Sequence, residues 1–142
     1  MELGRIAAVL LPGETAYTGN GSGYLLGPRL VLTARHVVAG RDACDVQVPG
    51  GSPVRCSVVW RGGHLDGADV DAALLLADRD VRAPVAPVRW GRLVTARQQP
   101  CDVAGYPDAA RRAGGALELE QPRAVLSPAS GALSHRYTVE LA

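Results

Sequence analysis

Short apolar runs separated by Gly, Pro and Asp dominate the chain. They cover residues 5–11, 23–26, 30–33, 45–48, 54–60, 70–77, 101–104, 117–125 and 137–141. Runs of this length, rich in Val and Leu and bounded by turn formers, predict strands, and together they predict an all-β barrel or sandwich. Alternation in Asp45-Val46-Gln47-Val48, in Glu118-Leu119-Glu120 and in Tyr137-Thr138-Val139-Glu140-Leu141 puts every second side chain on one face. Pro49-Gly50-Gly51 predicts a turn between two such runs, and Gly27-Pro28 a tight hairpin between residues 24–26 and 30–32. Helix is scarce: residues 36–40 predict one short turn, stopped by Gly40. Arg111-Arg112 reads as part of a polar, Gly-flanked loop. Across residues 79–100 the texture changes to charges with Pro84, Pro87 and Pro100, which marks a linker.

Composition narrows the class. A chain of 142 residues with 47% apolar residues can bury a real core, as one domain or as one domain and part of another. That excludes a disordered tail and a disulfide-dependent miniprotein. A net charge of +1 supplies no field that would favour nucleic acid or an anionic membrane. No apolar run approaches the roughly 20 residues that span a bilayer. All 15 basic residues are Arg, and Lys and Phe are absent. This reads as a bias of genomic base composition before it reads as function.

The three cysteines, Cys44, Cys56 and Cys101, cannot all pair within the chain, and none forms a CxxC spacing. Cys44 and Cys56 lie on neighbouring runs that would face each other across a hairpin, and they are expected to be small buried hydrophobes. Glu2 precedes Arg5 where a signal peptide needs positive charge, and the apolar stretch 6–11 is too short for its hydrophobic region. The expectation is a cytoplasmic protein with reduced thiols.

His36 is the first residue with chemical promise. It follows the strand Leu30-Val31-Leu32-Thr33-Ala34 and opens a short turn. A His at the end of a rigid strand is held in place while its ring stays accessible, which suits a general base near neutral pH. Asp71 directly precedes the apolar run Ala72-Ala73-Leu74-Leu75-Leu76, where a carboxylate is unfavourable unless something pairs with it. An imidazole would do so, donating a hydrogen bond from Nδ1–H to the carboxylate, which fixes the tautomer. Asp69 is the obvious rival and Asp66 a weaker one.

The stretch Gly21-Ser22-Gly23-Tyr24-Leu25-Leu26-Gly27-Pro28-Arg29-Leu30-Val31-Leu32-Thr33-Ala34-Arg35-His36-Val37-Val38 resembles the trypsin-like, chymotrypsin-fold serine proteases. In that family a GSGF-type strand and a hairpin lead into a Thr-Ala-Ala-His element whose His is the general base. Asp71-Ala72-Ala73-Leu74-Leu75 is similar to the family's Asp-Ile-Ala-Leu-Leu element, whose Asp orients that His. The resemblance selects Asp71 over Asp69. Cys101-Asp102-Val103-Ala104-Gly105-Tyr106-Pro107 resembles the Gly-(Phe/Tyr)-Pro strand that begins the second barrel. The resemblance covers nearly the whole chain. It implies a chymotrypsin-like double β-barrel whose first barrel, residues 1–80, is complete and carries His36 and Asp71. Residues 81–99 would link the barrels, and residues 100–142 would begin a second, truncated barrel.

Departures from the family pattern carry information. Arg35 replaces a small residue before the His and would crowd or charge the cleft wall. Val37 stands where many secreted members have a disulfide Cys. Triad order is His, Asp, then Ser, yet no Gly-x-Ser-Gly element follows Asp71. The only downstream Ser-Gly is Ser130-Gly131, which lacks the preceding Gly and comes before the strand at 137–141. Ser130 therefore reads as a hairpin residue, and Ser127 and Ser134 have less support.

Other features add little. Gly19-Asn20-Gly21-Ser22-Gly23 reads as a flexible turn, since no Gly-Lys-Ser/Thr follows to make a phosphate cradle. His64 and His135 are expected to be solvated, and Trp60 and Trp90 to pack. No spacing predicts a zinc site, and no cofactor is expected. The resemblance implies a serine endopeptidase domain acting on polypeptides, lacking its nucleophile and inactive alone, with a complementing C-terminal half as a further partner. The alternative is a non-catalytic, protease-derived binding module. An unrelated small barrel is the third reading, and it requires His36 and Asp71 to lie far apart.

Overall fold

A computed structural model describes residues 3–13, 17–65, 68–82, 84–86, 88, 90, 97–107, 118–127 and 138–141. Eleven strands appear among them. Six close a barrel: β1 (Ile6–Pro12), β2 (Tyr17–Leu25), β3 (Leu30–Thr33), β4 (Ala43–Gln47), β5 (Val54–Arg61) and β8 (Ala73–Ala77). Between β5 and β8 lies a two-stranded ribbon of β6 (His64–Leu65) and β7 (Ala68–Asp69). A three-stranded sheet follows, with β10 (Arg123–Ser127) between β9 (Gln99–Asp102) and β11 (Thr138–Leu141). The described helix is limited to two short 3-10 turns, at Leu3–Arg5 and Arg35–Val38. The all-β expectation holds, and the barrel lies within residues 6–77.

Antiparallel pairs run round the barrel in the order β1-β2-β3-β8-β5-β4, and β4 closes back on β1 through Val9 opposite Val46. Alternation decides which side chains point inward. On β4, Cys44 and Val46 are buried while Ala43, Asp45 and Gln47 are partly covered. Val9, Leu25, Val31, Val46 and Leu75 fill the interior with full burial. The predicted hairpins form. Leu26 N–H donates to Leu30 O at 2.8 Å across Gly27-Pro28. Gly51 N–H donates to Val48 O at 3.0 Å, with Gly50 at φ +73°, a conformation that favours glycine. Cys44 and Cys56 stand directly opposite in the β4–β5 register, buried and free. Burial pushes their thiols up, to about 11 at Cys44 and about 12 at Cys56.

Strand β1 is buried on both faces. Ala7 and Val9 point into the barrel, while Ile6, Ala8 and Leu10 form a second cluster outside it with Tyr106, Tyr24, Ala104 and Leu119. The 3-10 turn before β1 contributes Arg5, a buried guanidinium that donates to Leu25 O at 3.2 Å and Ala86 O at 2.6 Å. Charge-assisted bonds to carbonyls offset the cost of burying that cation.

Three expectations shift. The run 117–125 does not form one strand: β10 begins at Arg123, because Pro122 has no N–H to give the ladder. Within that run Glu120 makes only an isolated bridge to Gly105. The run 70–77 yields a strand only from Ala73, since residues 71 and 72 leave the ladder. Trp60 and Trp90 are not core residues, being 41% and 76% exposed. A register shift between Val58 and Trp60 marks a bulge, and the last residues of β5 lie outside the core.

Candidate active site

Strand β3 is a firm base for the residue that follows it. It is paired on one side with β2 and on the other with β8, and Val31 and Thr33 are buried. Beyond Thr33 the chain passes through extended Ala34 into the 3-10 turn Arg35–Val38, which carries His36. The β3–β8 register ends with Thr33 opposite Ala73. Continuing it by two residues brings residue 71 beside residue 35. The ladder itself therefore explains why two residues so far apart in sequence meet.

Asp71 engages His36 with both carboxylate oxygens. The His36 backbone N–H donates to Oδ1 at 2.9 Å, and the ring Nδ1 lies 2.6 Å from Oδ2. With the carboxylate ionised, Nδ1 holds the proton and Nε2 is left as a free acceptor. The ring is 73% exposed, so Nε2 is open to an incoming group. The side-chain bond from His36, then its backbone N–H, hold the Asp71 carboxyl below the usual carboxylate range, and the Arg35 guanidinium adds to this. An unrelated barrel with the two residues far apart is excluded.

The rival acid has a different partner. Asp69 on β7 pairs with Arg35, Nη2 to Oδ2 at 2.9 Å, and Arg35 Nη1 also reaches Gly62 O at 3.4 Å. Arg35 thus meets a carboxylate where it was expected to charge the cleft wall. The sequence showed the cation and the acid but not their pairing. Asp66 lies outside the described residues.

An open groove of about 380 Å³ adjoins Asp71, lined by Ile6, Ser22, Tyr24, Leu32, Ala34 and Ala72 among others. A cavity of about 470 Å³ lined by Gly4, Arg5, Arg82 and Val85 is larger but includes neither His36 nor Asp71. Chemistry therefore favours the smaller groove. Ser127 ends β10 opposite Thr138. Ser130, Ser134, His135 and Arg111-Arg112 lie outside the described residues. His64 is exposed on β6, in register with Asp69. Among the described residues no three His, Cys or acidic side chains gather where they could hold a metal ion. Nor is any helix among them long and apolar enough to cross a membrane.

Asn20 and Ser22 belong to the stretch whose sequence reads as a flexible turn. They lie on β2, and their side chains bond the backbone of Tyr106. The signal that pointed there is the unbroken apolar run of β1: a strand apolar on both faces must be covered on both.

Solved structures share the fold. The serine endoprotease from Yersinia pestis matches with a TM-score of 0.68 and 18% identity, over 93% of this chain and 43% of that one. An inactive form of Rv3671c from M. tuberculosis matches with a TM-score of 0.61 and 22% identity, over 88% of this chain and 51% of that one. The active form of the Rv3671c protease gives a TM-score of 0.60 and 23% identity, over 86% of this chain and 47% of that one. The chain thus spans about half the length of the solved structures it matches. No curated protein matches it. Residues 21–138, which carry the second half of β2, all of β3, His36 and Asp71, match the trypsin-like peptidase domain, and the chain belongs to that family.

Proposed function

We propose that His36 and Asp71 are the general base and the orienting carboxylate of a serine-peptidase site that cleaves polypeptides. The observation that carries this is the two-oxygen grip of Asp71 on His36, which frees Nε2 at an exposed position. In the reaction, a serine hydroxyl adds to the peptide carbonyl carbon while Nε2 takes its proton. The tetrahedral adduct collapses, the C–N bond breaks, and the imidazolium returns the proton to the leaving amine. Water then hydrolyses the acyl-serine by the same two proton transfers.

The 142 residues contain no Gly-x-Ser-Gly element after Asp71. We therefore assign these 142 residues the base-bearing part of the site and expect them to be inactive alone, the serine being supplied from outside them. Residues 1–80 form the first barrel in this reading, 81–99 the link and 100–142 the start of the second. Free cysteines support a reducing compartment, and the proposed location is the cytoplasm.

A fluorophosphonate probe and a panel of peptide substrates test the proposal on the purified chain. No labelling and no cleavage are expected. Labelling at Ser130 would make that serine the nucleophile and overturn the inactive reading. A second reading, a non-catalytic binding module, draws support from the three-stranded sheet, whose outer strands β9 and β11 each pair only with β10 among the described residues and would offer sites for strand addition. Under it a partner's affinity is unchanged by His36→Ala.

A further inference from the structure

The outer face of β2 carries two polar side chains aimed at one residue. Asn20 Nδ2 donates to Tyr106 O at 2.9 Å, and Tyr106 N–H donates to Ser22 Oγ at 2.8 Å. Both backbone groups of a single residue 84 or more positions away are thereby satisfied. Asn20 is 8% exposed and Tyr106 is 6% exposed, so water competes poorly for these bonds. Beneath them the Tyr106 side chain packs with Ile6, Ala8 and Leu10. The seat also leaves no room before Tyr106: a Cβ on Gly105 would stand 2.6 Å from Ser22 Oγ. Ser22 is itself braced, its carbonyl accepting from Thr33 Oγ1 at 2.8 Å.

We propose that Asn20 and Ser22 form a peptide seat on the barrel that docks the Gly105-Tyr106 segment by reading its backbone. Its occupant is this chain's own glycine followed by an aromatic residue. The glycine passes Ser22, the aromatic ring covers the outer face of β1, and the two side chains grip the N–H and C=O between. The seat fixes the segment that leads from β9 against the barrel. Its recognition of backbone makes the phenolic hydroxyl dispensable.

Residue-resolved amide hydrogen exchange on the full chain tests this. Ser22→Ala is expected to speed exchange at the Tyr106 amide roughly tenfold, the scale of one lost hydrogen bond. Amides of Val31 and Leu75 inside the barrel should keep their protection. Tyr106→Phe should leave the Tyr106-position amide protected. Gly105→Ala should speed it in the wild-type background and add little to Ser22→Ala, since the clash with Oγ is then gone. An unchanged Tyr106 amide in Ser22→Ala overturns the proposal. So does additivity of the two substitutions, or loss of barrel protection alongside.

Discussion

Asp71 shows how a single residue's surroundings set its chemistry. Two hydrogen bonds from His36 favour the ionised carboxylate, so the group titrates lower in the folded chain than in the unfolded one. Its contribution to stability is complete above the ordinary carboxylate range and is lost as pH falls through the lowered folded-state value. Urea midpoints of the wild type and Asp71→Asn should therefore differ near neutrality, and the gap should close as pH falls below the ordinary carboxylate range and through the lowered folded-state value. A gap that stays constant with pH would show that the carboxylate charge is not what matters. The choice of Asp71 over Asp69 was legible only through its resemblance to a known element. Composition alone left both acids ahead of the same apolar run. What separates them physically is the β3–β8 register together with Arg35, which occupies Asp69.

The strands were legible because each half-buried run alternates or is bounded by turn formers. Leu75 and Leu76 illustrate what alternation decides: the first is fully buried and the second is 41% exposed. Leu75→Ala is expected to cost about 2–5 kcal/mol by urea unfolding with an unchanged slope, and Leu76→Ala no more than about 0.5 kcal/mol. Equal losses would mean the register of β8 is wrong. On β4 and β5, burial raises both facing thiols and keeps reagents out. Cys101, only partly covered on β9, should react first with a thiol reagent in the folded chain, with Cys44 and Cys56 waiting for unfolding. Prompt modification of Cys44 would contradict the closed barrel. The limits of β10 and the bulge in β5 were not legible. A proline's missing donor and an extra residue in a ladder act through the partner strand, which local pattern does not identify.

At the scale of the molecule, a closed barrel delivers His36 and Asp71 from just beyond the adjoining ends of two neighbouring strands, β3 and β8, and a smaller sheet follows it. The class of fold and this pair of residues were legible in the sequence. The closure of β4 onto β1 and the covering of β1 by Tyr106 were not, because both depend on contacts between distant segments. In the proposed site the fold prepares His36 as a base by fixing its tautomer. Nitrogen-15 NMR of the neutral His36 ring in the 142-residue chain tests it most directly. The proton is expected on Nδ1 with Nε2 bare, with a shift toward the Nε2–H form in Asp71→Ala. A ring that carries its proton on Nε2 in both proteins would contradict it.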